Sequence, residues 1–144
     1  MSEIVTLTLE RLKDHSLVYV ASPYSKYPDG LEDAFEVVCA ATGYLIRKGV
    51  KAYSPIAHTH PIAIHGNLDP LDHNLWLPFD DVMIERCDAL CVVTMEGWEK
   101  SQGVRYEIDK FRGVPHQQRQ YGLSWSSGEL RPIYFIDPET YEVF

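Results

Sequence analysis

The chain has 144 residues, 45% of them hydrophobic and 24% charged. That profile suits one domain around a single core and excludes a disordered polymer. A formal charge of −8 excludes a sequence-independent grip on nucleic acid, which needs clustered Lys and Arg, but leaves room for a small anion held by a few local donors.

The N-terminus, MSEIVTLTLERLKDH, is amphipathic and charged, and neither it nor any later stretch reads as a signal peptide or a membrane span. A cytoplasmic location is therefore expected. SLVYVAS (16–22) reads as a buried strand, short and β-branched, closed by the turn signal Ser-Pro. Next, Leu31, Phe35, Val38, Thr42 and Leu45 recur at helical spacing, with Asp29 as the expected N-cap and Gly49 at the C-terminal end. VKAYS (50–54) predicts a second strand, again ended by Ser-Pro. The segment SPIAHTHPIAIHGNLDP is rich in Pro, His and Gly and reads as a long functional loop. A second helix is expected within 71–87, where Pro78 marks either its start or a kink. ALCVVTM (89–95) is the third and most apolar strand, and SQGVRYEIDKF opens a third helix with Ser101 as N-cap. RPIYFID (131–137) is a last strand, while 114–130 fits neither period and reads as an irregular excursion. Cys39, Cys87 and Cys91 lie in apolar stretches without metal-like spacing and read as buried thiols.

Strands alternating with helices predict a single α/β domain over 1–144, with a three-layer, flavodoxin- or Rossmann-like parallel sheet and helices on both faces. In such sheets ligands sit beyond the carboxyl ends of the strands. Those ends are SPYS (22–25), SPIAHTH (54–60) and GWEKS (97–101). If Ser101 caps its helix, Gly103 lies one turn before Glu107 on the same face and bares backbone N–H groups at a positive dipole end, a setting for an anion or a sugar. A helix over 76–87 sets Asp80 among Trp76, Leu77, Met83, Ile84 and Cys87, so its carboxyl is expected to hold a proton unusually well. Asp81 instead faces Glu85 and Asp88. A carboxylate nucleophile beside a protonated acid is the arrangement glycosidic bond cleavage uses.

VYVASPYS, the D-x7-D spacing from Asp80 to Asp88 before an apolar strand, and S-x-G-V-x-Y-E from Ser101 to Glu107 resemble the nucleoside 2-deoxyribosyltransferase superfamily. The spacings match its nucleotide N-glycosidase members. SPYS, SPIAHTHP and GWEKSQGV resemble more closely an uncharacterised bacterial and phage branch, over residues 16–113. The resemblance implies a flavodoxin-like fold and a glutamate that attacks C1′ of the sugar, carried onto Glu107. It also implies an aspartate that assists the leaving base, carried onto Asp80, and a tyrosine orienting the nucleophile, carried onto Tyr19. A homodimer or homotetramer acting on a small nucleotide or nucleoside is implied as well, with no cofactor.

Deoxyribosyltransferases proper carry an Asp six residues before the nucleophile; Ser101 stands there in this chain. A 5′-phosphate would be repelled by Asp and accepted by Ser and exposed amides, which favours a nucleoside 5′-monophosphate. Ser22, Tyr24 and Ser25 are candidates to share the phosphate. Ile56, His58, Trp76 and Trp98 are candidates for the base. Other readings stay open at this point: base exchange, nucleotide binding without turnover, and metal-dependent hydrolysis through His58, His60, His65 and His73 with Asp69 and Asp72.

Overall fold

A computed structural model describes residues 2–113 and 131–144, so the expected 114–130 excursion lies outside the described residues. Four strands, β1 (Val18–Ala21), β2 (Ala52–Tyr53), β3 (Ala89–Val93) and β4 (Ile133–Ile136), form one sheet in the order β2-β1-β3-β4. Every strand pairing in it is parallel. The helices are α1 (Glu3–Asp14), α2 (Leu31–Arg47), α3 (Pro55–Gly66), α4 (His73–Arg86) and α5 (Gln102–Arg112). This is a flavodoxin-like α/β fold. No described helix is long and apolar enough to cross a membrane.

Strand alternation sorts the core into two layers. Val18 and Val20 of β1 with Ala89, Cys91 and Val93 of β3 pack on Val5, Leu9 and Leu12 of α1 and Val38, Ala41 and Leu45 of α2. Tyr19 and Ala21 with Leu90 and Val92 point the other way, onto Ile84 of α4 and Val104 and Phe111 of α5. Tyr19 thus belongs to the face that carries Asp80 and Glu107. Because β1 connects outward to β2 and β3 lies on its other side, the direction in which strands are added across the sheet reverses at β1 and β3, and a crevice opens beyond their carboxyl ends.

Two local expectations are corrected. The cap of α2 is Gly30 at φ 97°, without a side-chain bond, rather than Asp29. SPIAHTHPIAIHGNLDP is mostly helix α3 rather than loop. Ser54 Oγ accepts from Ala57 N at 3.1 Å, Pro55 takes the first turn, where its missing N–H costs nothing, and Asn67 closes the helix at φ 57°. The same Ser-Pro pair that ends a strand also starts a helix. Pro61 is carried inside α3 and Pro78 inside α4, so the latter helix begins at its Asp72 cap and continues through its proline.

Two clamps fix the opposite, amino-terminal edge. Asp88, just before β3, accepts from Ser16 N (3.1 Å), Leu17 N (2.9 Å) and His15 Nδ1 (3.0 Å), tying β3 to the start of β1. Arg131, just before β4, is buried and donates to the carbonyls of Ile84 and Cys87 at 2.8 Å and to that of Phe111. One guanidinium therefore holds the carboxyl ends of α4 and α5, where the helix dipoles favour a cation.

Candidate active site

A cavity of about 350 Å³ opens at the crevice, bordered by the loop after β1, the start of α3, the α3–α4 connection, α4, and the turn leading into α5. Gly97, at φ 86°, turns the chain out of β3 into a short 3-10 turn over Trp98–Lys100. Ser101 then caps α5, its Oγ accepting from Val104 N at 3.2 Å. Gln102 and Gly103, whose N–H groups precede the first intrahelical bond, line the cavity. A Cβ on Gly103 would meet only Ser101 Oγ, at 3.8 Å, so packing within the protein does not demand glycine there.

One turn further along α5, Glu107 reaches the cavity from below, and the Tyr19 hydroxyl donates to its Oε2. Burial lifts the Glu107 carboxyl to about 8; the Tyr19 bond opposes that rise and the nearby Asp80 adds to it. Burial, with Asp81 second, lifts Asp80 to about 7. Asp80 Oδ1 is buried with no hydrogen-bond partner. The two acids thus share an environment that opposes holding two negative charges. Taken one by one, these values would leave the proton on Glu107, but the two carboxyls titrate as a pair, and the Tyr19 hydroxyl donates to Glu107 alone; that bond favours the single charge on Glu107 and the shared proton on Asp80. Tyr19 is itself pushed well above its ordinary range, first by burial and then by Glu107 and Asp80.

The structure brings Glu107, Asp80, Ser22, Tyr24, Ser25, Ser101, Gly103, Ile56 and Trp76 to one cavity, with Tyr19 directly behind Glu107. Two expected base contacts lie elsewhere. Trp98 packs on Phe135, 5.6 Å between ring centres, and borders a separate depression with Val104 and Ile108. His58 is absent from the cavity wall and stacks flat on Phe79 at 4.5 Å, edge-on to Trp76. The histidines do not converge either. His60 bonds Tyr24 and Glu32, and no group of three potential metal ligands occurs among the described residues.

Sequence reasoning passed over Lys26 and Lys100, which bring positive charge to the wall beside Ser25 and Ser101. It also missed Tyr53, in register with Tyr19 across β1 and β2, whose buried hydroxyl has no partner. Ser22 Oγ is likewise buried without a partner. Tyr106 borders the cavity and donates to Asp81 Oδ1 at 2.8 Å, joining α5 to α4. The two lysines follow directly from their sequence neighbours. Tyr53 needed the strand register, which composition does not give.

A family model described as a domain of unknown function, DUF1937, matches residues 16–122, which include every element of the cavity. No curated protein matches the sequence.

Proposed function

The chain belongs to the DUF1937 family, and from its cleft we propose that it is an N-glycosidase cleaving the base–sugar bond of a nucleoside 5′-monophosphate. The observation that carries this reading is the pair of half-buried acids in different settings: Glu107 held by Tyr19, and Asp80 with an unbonded oxygen, both facing one cavity. The resemblance of the S-x-G-V-x-Y-E stretch to the nucleoside 2-deoxyribosyltransferase superfamily points the same way. The cavity volume of about 350 Å³ falls within the range of small-molecule sites, roughly 300–1,000 Å³.

The chemistry proceeds in two balanced steps. One Glu107 oxygen bonds to C1′ as the C1′–N bond breaks, and the departing base takes the Asp80 proton. Negative charge on Glu107 stabilises the oxocarbenium-like transition state before the covalent bond forms. Water then attacks C1′ and gives its proton to Asp80, and the Glu107 oxygen leaves. Tyr19, bonded to Oε2, keeps the carboxylate turned toward the sugar. The 5′-phosphate is received by Ser101, the N–H groups of Gln102 and Gly103, Ser22 and the two lysines. Transfer of the glycosyl group to a second base in place of water would use the same intermediate.

A screen of ribo- and deoxyribonucleoside 5′-monophosphates for free base release tests the reading. Intact-mass measurement with a slow 2-fluoro-substituted substrate should locate a glycosyl adduct on Glu107. Equal turnover of free nucleosides would remove the phosphate from the reading, and an adduct on another residue would remove Glu107.

A further inference from the structure

Next to the two acids, a second hydrogen-bonded chain reaches the same cavity. Tyr24, in the loop after β1, borders it, and its hydroxyl lies 2.6 Å from His60 Nδ1. His60 Nε2 lies 2.7 Å from Glu32 Oε2. The imidazole is buried, stacked on Phe35 at 4.4 Å and edge-on to Tyr24. Glu32, by contrast, has 63% of its side-chain surface exposed. Three elements are joined this way: the β1 loop, α2 and α3.

We propose that Glu32 and His60 are positioning residues that turn the Tyr24 hydroxyl oxygen toward the cavity as a hydrogen-bond acceptor, making that wall selective for a hydroxyl group of the bound sugar. A carboxylate can only accept, so when the ring is neutral its single N–H goes to Glu32 through Nε2. Nδ1 is then left as a bare lone pair, and the phenol is the partner that donates. That spends the only proton Tyr24 has. Toward the cavity its oxygen offers lone pairs alone, which welcome a ligand hydroxyl and reject a phosphate oxygen. The cavity is thereby divided, with anion donors at the α5 end and an acceptor at the Tyr24 end. A tyrosine free to rotate its proton would make no such distinction. The inference rests on the reading of the cleft as a sugar-phosphate site.

Binding of ribose 5-phosphate, followed by calorimetry, tests it without turnover. Tyr24→Phe should weaken binding about tenfold, the loss of one well-placed hydrogen bond. Removing the matching hydroxyl from the ligand, using 2-deoxy- and 3-deoxyribose 5-phosphate, should cost wild type the same factor and cost the Phe variant nothing. His60→Leu should reproduce the loss and add little in the Tyr24→Phe background. His60→Asn, whose amide oxygen can stand near the Nδ1 position, should recover most of it. Nitrogen NMR of the His60 ring in mildly alkaline solution should find the proton on Nε2, and it covers the case in which the Leu variant does not fold. A ring protonated on Nδ1, unaltered binding by Tyr24→Phe, or additive losses in the double variant would each overturn the inference. Failure of wild type to bind any sugar phosphate would instead overturn the reading of the cleft itself, and the sugar contact with it.

Discussion

Replacing Glu107 by Gln should stabilise the protein increasingly as pH rises from about 4.5 to about 8, and leave it nearly unchanged below that window. Burial is the main cause lifting the folded-state carboxyl from 4.5 to about 8. Below the unfolded value both states hold the proton, and ionisation contributes no difference. Between the two values the unfolded chain has lost a proton that the coupled Glu107–Asp80 pair keeps in the folded protein, so stability falls as pH rises, until the pair also ionises fully. The gap of roughly 3.5 units, at about 1.36 kcal/mol each, sets a ceiling of about 5 kcal/mol. The cavity wall admits water, and sharing of charge with Asp80 spreads the effect, so roughly 2 kcal/mol is the more realistic size. Gln cannot ionise, yet its amide oxygen still accepts from Tyr19. The variant should therefore unfold roughly 4–8 °C higher than wild type at about pH 9. Thermal unfolding followed across pH would show the two curves separating from about pH 4.5 upward and keeping a constant gap above about 8. Curves that coincide at every pH would refute the claim that burial beside Asp80 raises the Glu107 carboxyl.

Asp88 has the opposite sign. Burial works to raise its carboxyl, but the bonds from Leu17, His15 and Ser16 carry it below its ordinary value. Its contribution should be present above the unfolded pKa and lost as pH falls through the folded one, so Asp88→Asn should cost roughly 1–3 kcal/mol at neutral pH and progressively less in acid. Arg131→Met leaves the carbonyls at the ends of α4 and α5 without their donor, and urea unfolding should show a loss of about 3 kcal/mol. Gly97→Ala should cost about 1–2 kcal/mol because its φ of 86° lies where a Cβ is strained. Gly103→Ala should leave stability unchanged or slightly higher while weakening phosphate binding, a contrast that separates a backbone glycine from a ligand-facing one.

The sheet was legible because its central strands are continuous apolar runs between turn signals, and parallel order followed from the helices between them. Asp80 and Glu107 were legible for a related reason: each is a charge where helical spacing expects a core-facing or cleft-facing position. Helix α3 was misjudged because Pro, His and Gly describe loops on average, whereas the deciding information was positional, in Ser54 as cap, Pro55 in the first turn and Asn67 at the end. His58 and Trp98 were assigned to the base by residue type and nearness in sequence. Which side of its element a ring leaves depends on packing partners such as Phe79 and Phe135, and these lie far away in the chain. Arg131 gave no local signal at all, since its partners are carbonyls at the ends of two helices.

The two ends of the sheet treat buried polar groups in opposite ways, and the difference bears on what the molecule is built to do. At the amino-terminal edge both oxygens of Asp88 are bonded and the Arg131 guanidinium serves three carbonyls. At the carboxyl edge Ser22 Oγ and Asp80 Oδ1, both of residues at the cavity wall, and Tyr53 OH are buried and unbonded. Each such group costs roughly 1–3 kcal/mol, so the three together are comparable with much of a small domain's net stability, about 5–15 kcal/mol. A chain that fastens one edge so completely has no physical need to leave the other unpaired for folding. On the proposed reading of the cleft, Ser22 Oγ and Asp80 Oδ1 are groups kept ready for a ligand, whose binding would return part of what the fold gives up there. The clamps at the far edge let α4 and α5 hold Asp80 and Glu107 in place while that cost is carried.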